Sequence, residues 1–171
     1  EDDIPAIQAE AEAAGITKLA ACTTGGFTRQ ESVFNGVRKI SKDTELVAIH
    51  DGARPLVKSE HIEKVIKDAS VFGGATLGVP VKDTIKTVDG GLIIDTPPRS
   101  SLYITQTPQI FKRRLYFEGI DFALEHGLDF TDDCQLVEAI GGKVAMTVGD
   151  YTNIKITTPE DNASAEVLLQ S

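Results

Sequence analysis

The sequence predicts an α/β fold, a Rossmann-like three-layer arrangement with a mostly parallel sheet. Apolar residues recur at strand and helix periods in alternation along the chain, which is typical of βαβ units. The run Leu46–Ile49 is apolar throughout, as a strand buried on both faces of such a sheet would be. With 171 residues, 41% of them hydrophobic and 25% charged, the chain suits a single globular domain over residues 1–171.

The composition excludes several classes of protein. The chain has 26 acidic and 17 basic residues, a formal net charge of −9, so the phosphates of a nucleic acid partner would be repelled. Cys22 and Cys134 have neither metal-ligand nor redox spacing, which favours two ordinary thiols in a reducing compartment. We find no stretch as long as a membrane span and no signal peptide, and we therefore expect a soluble cytoplasmic protein without a membrane partner.

The first third of the chain is predicted to alternate helix and strand. Asp3 is predicted to cap a helix that runs to about Ala14 and is ended by Gly15, and residues 18–23 are predicted to form a strand. A capping box predicts a second helix over about residues 28–40. The buried strand at 46–50 follows.

The middle of the chain departs from this rhythm. A helix beginning at Ser59 and a strand over 75–81 keep the alternation. Residues 83–95 instead resemble a β-hairpin with an Asp-Gly-Gly turn. Two strands alone are marginally stable in water, so we expect this arm, about 83–100, to lie on a partner subunit.

The remaining elements resume the alternation of strands and helices. They are a strand at 102–107, a helix at 112–126, a helix capped by Thr131 and ending near 140, a strand at 143–148, and a helix beginning at 158–159 with proline in its first turn.

The segment His50–Pro55 places a carboxylate and a guanidinium at the carboxyl end of a buried strand, where sheets of this class bind ligands. Asp51 offers the hard oxygen ligand that Mg²⁺ prefers, and Arg54 the planar fork that matches phosphate oxygens. Gly52 would let a ligand approach the backbone closely. The alternative interpretation is a turn closed by a structural ion pair.

Other candidate site residues also lie near predicted strand ends. Gly26 precedes a helix whose N-terminus could meet an anion, although a plain tight turn is the alternative. Lys155 lies in a short apolar segment, 152–157, interpreted as a strand, where an unpaired ammonium would be costly, so an anion is expected beside it. The hydroxyl and two carboxylates at 131–133 could be explained by helix capping alone.

Histidine is not expected to act as the base. His61 and His126 are predicted to face solvent on helices, and His50 to orient its neighbours or join the core. The scattered cations, hydroxyls and carboxylate suit phosphoryl or nucleotidyl transfer, in which positioning and charge neutralisation do most of the catalytic work.

Taken in order, these motifs resemble the 2-C-methyl-D-erythritol 4-phosphate cytidylyltransferase family. The resemblance covers nearly the whole chain and lies in residues 25–33, 50–55, 79–84, 99–102, 107–109, 131–133 and 153–155. It implies a Rossmann-like nucleotidyltransferase sandwich and a step of non-mevalonate isoprenoid biosynthesis. In that step the substrate phosphate attacks the α-phosphorus of CTP, giving 4-diphosphocytidyl-2-C-methyl-D-erythritol and pyrophosphate, with Mg²⁺ as the cofactor.

The resemblance also implies individual roles. The catalytic residues would be Asp51, Arg99 and Lys155, and Asp51 would bind the metal. CTP would be bound by Gly26, Ser32, Asp51, Gly52 and Lys155. The methylerythritol phosphate would be held by Arg54, Thr84, Arg99, Thr131 and Lys155. The arm would cross to a second subunit of a homodimer, so that Thr84 and Arg99 serve the neighbouring active site.

The chain departs from the family pattern at its start. Family members open with a strand, a Gly-rich loop that holds the CTP triphosphate and a second strand, all ahead of the helix at Asp3. We therefore expect an N-terminally truncated chain that is inactive alone. Phe27 also stands where the family often has a polar residue beside the cytidine. The alternatives are a ribitol-5-phosphate cytidylyltransferase and a non-catalytic dimerisation or binding fragment.

Overall fold

A computed structural model describes residues 3–170 of the chain. Four strands form one sheet in the order β1-β5-β2-β6, and two form a separate hairpin. The strands are β1 Leu46–Ile49, β2 Gly74–Pro80, β3 Thr87–Asp89, β4 Leu92–Asp95, β5 Tyr103–Lys112 and β6 Val144–Val148. The helices are α1 Ile4–Ala13, α2 Arg29–Val37, α3 Ser59–Phe72, α4 Arg113–His126, α5 Asp133–Ala139 and α6 Pro159–Leu169, with a 3₁₀ turn at Arg99–Ser101.

The sheet is mixed, which corrects the prediction of a mostly parallel one. β5 lies between β1 and β2 and is antiparallel to both, whereas β2 and β6 are parallel. β1, β2 and β6 therefore run in one direction and β5 alone is reversed. The reason is its connection: β5 follows the hairpin arm instead of a crossover helix, so it enters the sheet from the opposite end.

Helices cover both faces of the sheet, in agreement with the predicted three layers. On one face α2, α4 and α5 bury a cluster that includes Phe111, Tyr116 and Leu136, in which the rings of Phe111 and Tyr116 stack 5.1 Å apart. On the other face α3 buries Val65 against Ile110 of β5. The central strand β5 is thus buried from both sides and is a rigid base for the residues that follow.

Helices α4 and α5 cross at very short range. A Cβ added to Gly119 of α4 would lie 2.6 Å from the carbonyl oxygen of Leu136 in α5. Backbone cannot give way as a flexible side chain can, so glycine is required at this crossing. Gly119 therefore sets how deeply α5 lies against α4.

Three local predictions are wrong. Residues 18–23 are irregular, and no described strand pairs with them. His61 lies on the buried face of α3 and is only 7% exposed instead of facing solvent, although His126 is exposed as expected. Asp3 precedes α1 but makes no side-chain cap.

A hairpin forms at the predicted place, where β3 and β4 pair with each other and not with the main sheet. Every residue of β3 and β4 is exposed. The exposed residues include Leu92, at 73%, and its neighbours Ile93 and Ile94. Gly90 and Gly91 adopt positive φ angles of 53° and 82°, which the tight turn requires. Across the described residues, none of the helices combines the length and the apolar character needed to cross a bilayer.

Candidate active site

The loop 50–55 leaves the carboxyl end of β1 and is held in place by β5. The backbone N–H of Asp51 donates to Oγ1 of buried Thr107 at 2.9 Å. His50 lies 3.0 Å from the same hydroxyl through Nδ1 and 3.0 Å from the carbonyl oxygen of Arg54 through Nε2. His50 is therefore an orienting residue, one of the two roles expected for it.

The Asp51 carboxylate lies between two cations. Its Oδ2 is 3.1 Å from Nζ of Lys155 and 3.4 Å from Nε of Arg54. Partial burial would raise the pKa of Asp51, but the hydrogen bond and charge of Lys155, with the charges of Arg54 and Arg29, lower it below its usual value. Oδ1 has no hydrogen bond or ion pair within residues 3–170, so the ionised carboxylate keeps one oxygen free for a ligand.

Lys155 reaches Asp51 from an irregular segment, which corrects the prediction of a strand over 152–157. The segment is fastened by its backbone. The Ile156 N–H donates to the carbonyl oxygen of Ala53 at 2.8 Å, and Arg54 Nη1 donates to the carbonyl oxygen of Asn153 at 2.8 Å. These bonds fix the two loops beside each other without a strand ladder.

Asn153 attaches the segment that carries Lys155 to β5. It is buried, and its Nδ2 donates to the carbonyl oxygen of Thr107 at 3.0 Å. Both loops are therefore attached to Thr107 of β5. The loop 50–55 is bound to its side-chain hydroxyl, and the segment with Asn153 to its backbone carbonyl. Sequence reasoning placed Asn153 and Thr107 in motifs but gave neither a role.

The turn before Asn153 is closed by an ion pair. Asp150 Oδ2 is 2.8 Å from Nζ of Lys58, and its Oδ1 accepts from the Thr152 N–H at 2.9 Å. The Lys58 hydrogen bond, followed by that from Thr152, lowers the pKa of Asp150 to about 2. The carbonyl oxygen of Asp150 also accepts from Gln106 of β5.

The loop that carries Gly26 is shaped by the first turn of α2. The Gly26 N–H donates to Ser32 Oγ at 2.9 Å, and the Phe27 N–H to Glu31 Oε2 at 2.7 Å. Thr28 caps α2 by accepting from the Glu31 N–H, as the capping box predicts. A Cβ on Gly26 would collide with Cβ of Glu31, so the backbone passes too close for any other residue. Phe27 is fully exposed.

Arg29, in the first turn of α2, forms an ion pair that sequence reasoning missed. Its Nη2 lies 2.6 Å from Oδ2 of Asp133, whose side chain is only 2% exposed. Tyr116 donates its hydroxyl to Oδ1 of Asp133, also at 2.6 Å. Of the neighbouring carboxylates, Asp132 caps α5 by accepting from the Cys134 N–H, so Thr131 is not the cap. Because Asp132 already caps α5, the adjacent carboxylate of Asp133 is left for another role, and a buried carboxylate needs a cation beside it.

Thr84 and Arg99 lie at the base of the arm. Both are exposed, and Arg99 donates to the carbonyl oxygen of Lys82. No contact joins either residue to Asp51 in the described part of the chain. The structure thus brings together Asp51, Arg54 and Lys155, with Gly52 beside them, and links Gly26 to Ser32. It leaves the two arm residues outside that group.

The donor set fits a weakly held divalent cation better than a protein-only metal cage. Within residues 3–170 no three His, Cys, Asp or Glu side chains are grouped to hold a metal. Mg²⁺ is commonly held by one or two carboxylates together with substrate phosphates and water. The free oxygen of Asp51 meets that requirement.

Comparison with known proteins matches this chain to one family. The profile described as 2-C-methyl-D-erythritol 4-phosphate cytidylyltransferase matches residues 2–171. A protein of that name from Caldanaerobacter subterraneus is 53% identical, over 85% of this chain and 65% of the relative. One from Geotalea uraniireducens is 42% identical, over 99% of this chain and 78% of the relative. The chain thus spans about two thirds to three quarters of the length of these relatives.

Solved structures give the same result. A 4-diphosphocytidyl-2C-methyl-D-erythritol synthase from Anaerococcus prevotii superposes with a TM-score of 0.88 at 33% identity, covering 100% of this chain and 78% of that one. A 2-C-methyl-D-erythritol 4-phosphate cytidylyltransferase from Thermus thermophilus superposes with a TM-score of 0.78 at 38% identity, covering 87% and 72%. The mixed sheet and its layers therefore match the fold of these enzymes.

Proposed function

Because the chain belongs to the 2-C-methyl-D-erythritol 4-phosphate cytidylyltransferase family, we propose that it carries the catalytic domain of an enzyme that transfers CMP from CTP to 2-C-methyl-D-erythritol 4-phosphate. The observation that carries the proposal is the convergence of Asp51, Arg54 and Lys155, from two loops, on one point at the carboxyl end of β1. A carboxylate between two cations is the arrangement needed where a metal and phosphates meet.

Asp51 is the residue that would hold Mg²⁺, through its free oxygen. The bound ion would neutralise part of the triphosphate charge. Lys155 stands within 3.1 Å of Asp51 and its side chain is 45% exposed, so its ammonium can turn to the α-phosphate while staying near the carboxylate. Gly52 is exposed at the same turn, and Gly26 with Ser32 would meet the cytidine.

The acceptor supplies its own nucleophile. A phosphate monoester has a second pKa of about 6 and is mostly dianionic at neutral pH, so its oxygen can attack the α-phosphorus without a general base. A P–O bond forms there as the bond to the β-phosphate breaks, and pyrophosphate leaves. Arg54 and Lys155 would balance the charge of the acceptor, and the family resemblance implies that Thr131 also contacts it. His50 has both ring nitrogens engaged, which agrees with a reaction that needs no base.

We also propose a homodimer joined through the arm. The apolar side chains of β3 and β4 are exposed, and a hairpin of this size is marginal without support. Thr84 and Arg99, at the base of the arm, would then reach the active site of the neighbouring subunit. This accounts for their separation from Asp51 within one chain. A cytoplasmic location stays a prediction.

Substrate assays test the proposal. The chain would be assayed alone and fused to the part of the Caldanaerobacter relative that it does not cover, with CTP, Mg²⁺ and either polyol phosphate. We expect the fusion to release pyrophosphate with methylerythritol phosphate. Equal or better turnover of ribitol 5-phosphate would favour the alternative enzyme, which the family match does not favour. A folded fusion that binds CTP but turns over neither acceptor would identify a non-catalytic binding module.

A further inference from the structure

Arg29 and Asp133 join two parts of the molecule that the proposed function assigns to different substrates. Arg29 follows the loop that would meet cytidine, whereas Asp133 follows Thr131, which would meet the acceptor. Their 2.6 Å ion pair is a direct connection between these two segments within the chain. The Asp133 side chain is only 2% exposed, so removing Arg29 would leave a buried carboxylate without a cation.

Besides Arg29, Asp133 is held by a second contact to its carboxylate and by one contact to its backbone. Tyr116, fully buried in α4, donates to Oδ1 at 2.6 Å. Gln109 of β5 accepts from the Asp133 N–H and donates to Asp132 at 2.7 Å. Burial first, and then the charge of Asp133, raise the pKa of the Tyr116 hydroxyl, so it remains a donor. The carboxylate therefore cannot follow Arg29 if Arg29 moves; it holds the guanidinium in one place.

A second contact joins the same two segments. Gln30, buried beside Arg29, donates to the carbonyl oxygen of Leu128 at 2.9 Å and accepts from the Phe130 N–H at 2.9 Å. The first turn of α2 is thus attached to residues 128–133 by neighbouring side chains. That same turn supplies Ser32 and Glu31, which hold the Gly26 and Phe27 amides. Movement of the 128–133 segment would therefore be transmitted to the loop that carries Gly26 and Phe27, which we call the nucleotide loop.

Arg29 also interacts with Asp51 through its charge. Its side chain is 36% exposed, and its charge contributes to lowering the pKa of Asp51. Only one of its donors is used within the described residues, by Asp133. The position of this guanidinium therefore affects both the loop that carries Gly26 and the carboxylate of Asp51.

We propose that Arg29 is a positioning residue whose ion pair with Asp133 couples the nucleotide loop to the acceptor turn at Thr131, so that binding at one favours binding at the other. The inference rests on the proposed function for the identity of the two ligands. The connection itself is a property of the chain and can be measured without ligand.

The first test uses the 171-residue chain alone and measures amide hydrogen exchange at Gly26 and Phe27. Asp133→Asn removes the charge but keeps the shape, and leaves Arg29 able to reach solvent. We expect exchange at both amides to accelerate about tenfold or more. Arg114→Gln is the control, because it breaks only the exposed pair between Arg114 and Glu118. Unchanged exchange in Asp133→Asn would overturn the proposal.

The second test measures nucleotide affinity by calorimetry on the fusion, with and without saturating methylerythritol phosphate, using the α,β-methylene analogue of CTP because it cannot release pyrophosphate. We expect the acceptor to tighten nucleotide binding about fivefold or more in the wild type. Asp133→Asn should bring the ratio of the affinities with and without acceptor close to one. Arg29→Lys, which keeps the charge, should retain part of the wild-type ratio. Tyr116→Phe, which keeps the ion pair and removes one donor, should give an intermediate ratio.

The outcomes separate the two proposals. If Asp133→Asn lowers both affinities but keeps the wild-type ratio, the ion pair is merely structural and the coupling is refuted. A wild-type ratio of one would refute it as well. If instead exchange responds as expected while the fusion turns over no acceptor, the proposed function fails and the link between the segments stands.

Discussion

Asp51 Oδ2 lies 3.1 Å from Nζ of Lys155, and both side chains are carried by irregular segments. Irregular backbone is usually the more mobile part of a fold, yet here both loops are bonded to Thr107 and to each other. The charged groups are therefore in position before any substrate arrives. Such prior alignment is what electrostatic catalysis of phosphoryl transfer requires.

Asp51→Ala should remove metal-dependent turnover with little effect on folding. We expect kcat/KM to fall about 100-fold or more, because no other carboxylate in the described residues takes its place. Arg54 keeps its bond to Asn153, so the loss of unfolding free energy should be below about 1 kcal/mol. Pyrophosphate release and thermal melts measure the two effects. Asp43→Ala, at an exposed position, is the control, and near-normal activity of Asp51→Ala would refute the metal role.

Thr107→Val should damage both stability and turnover. The hydroxyl serves the Asp51 N–H and His50 Nδ1, and losing these two part-buried hydrogen bonds costs about 1–3 kcal/mol. Turnover should fall because the carboxylate loses its anchor. Thr76→Val, at another buried threonine of the sheet, is the matched control. If both variants lose stability and activity alike, the effect of Thr107 is general and not local to the site.

The ion pair between Lys58 and Asp150 should give a pH-dependent contribution to stability. The pKa of Asp150 is lowered to about 2 in the folded chain, against about 3.9 when unfolded. Ionised Asp150 therefore contributes to the free energy of unfolding above its pKa in the unfolded chain. This contribution is lost as the pH falls through its pKa in the folded chain. Lys58→Met should lower Tm by about 1–2 °C near neutral pH, since both side chains are partly exposed, and should have no effect in acid below the folded pKa. An equal difference at both pH values would contradict this assignment.

Arg99→Ala should impair use of the polyol phosphate with little effect on CTP binding. A crossed arm makes a further prediction about mixed dimers. When Arg99→Ala subunits are mixed with Asp51→Ala subunits, each heterodimer should have one working site, because the intact arm of one subunit completes the intact loop of the other. Steady-state assays of the mixture, with each variant alone as the control, measure the recovery. No recovery from verified heterodimers would place Arg99 in its own subunit's site.

The sequence predicted elements whose signals are local. The capping box at Thr28, the glycines of the arm turn and the apolar face of α3 each depend on residues within a few positions, and each element formed. Residues 18–23 have a strand-like pattern, but a strand also needs a neighbouring strand to pair with. Pairing depends on distant segments, so the pattern alone could not settle it. The reversed direction of β5 escaped prediction for the same reason.

The candidate site was predictable in part. Asp51 and Arg54 are three residues apart, and the costly ammonium of Lys155 required an anion, so their proximity follows from chemistry as well as from family resemblance. The pairing of Arg29 with Asp133 was missed because helix capping offered an explanation for both carboxylates at 132–133. Only the burial of one of them reveals the need for a cation.

The close crossing at Gly119 has a consequence for the ion pair between Arg29 and Asp133. Substituting alanine adds one carbon against the carbonyl oxygen of Leu136, so α5 would have to retreat. Asp133 opens α5, and a retreat would pull it away from Arg29. Gly119→Ala is thus a route to a temperature-sensitive variant, in which the Arg29–Asp133 ion pair would open on warming although neither partner has been changed.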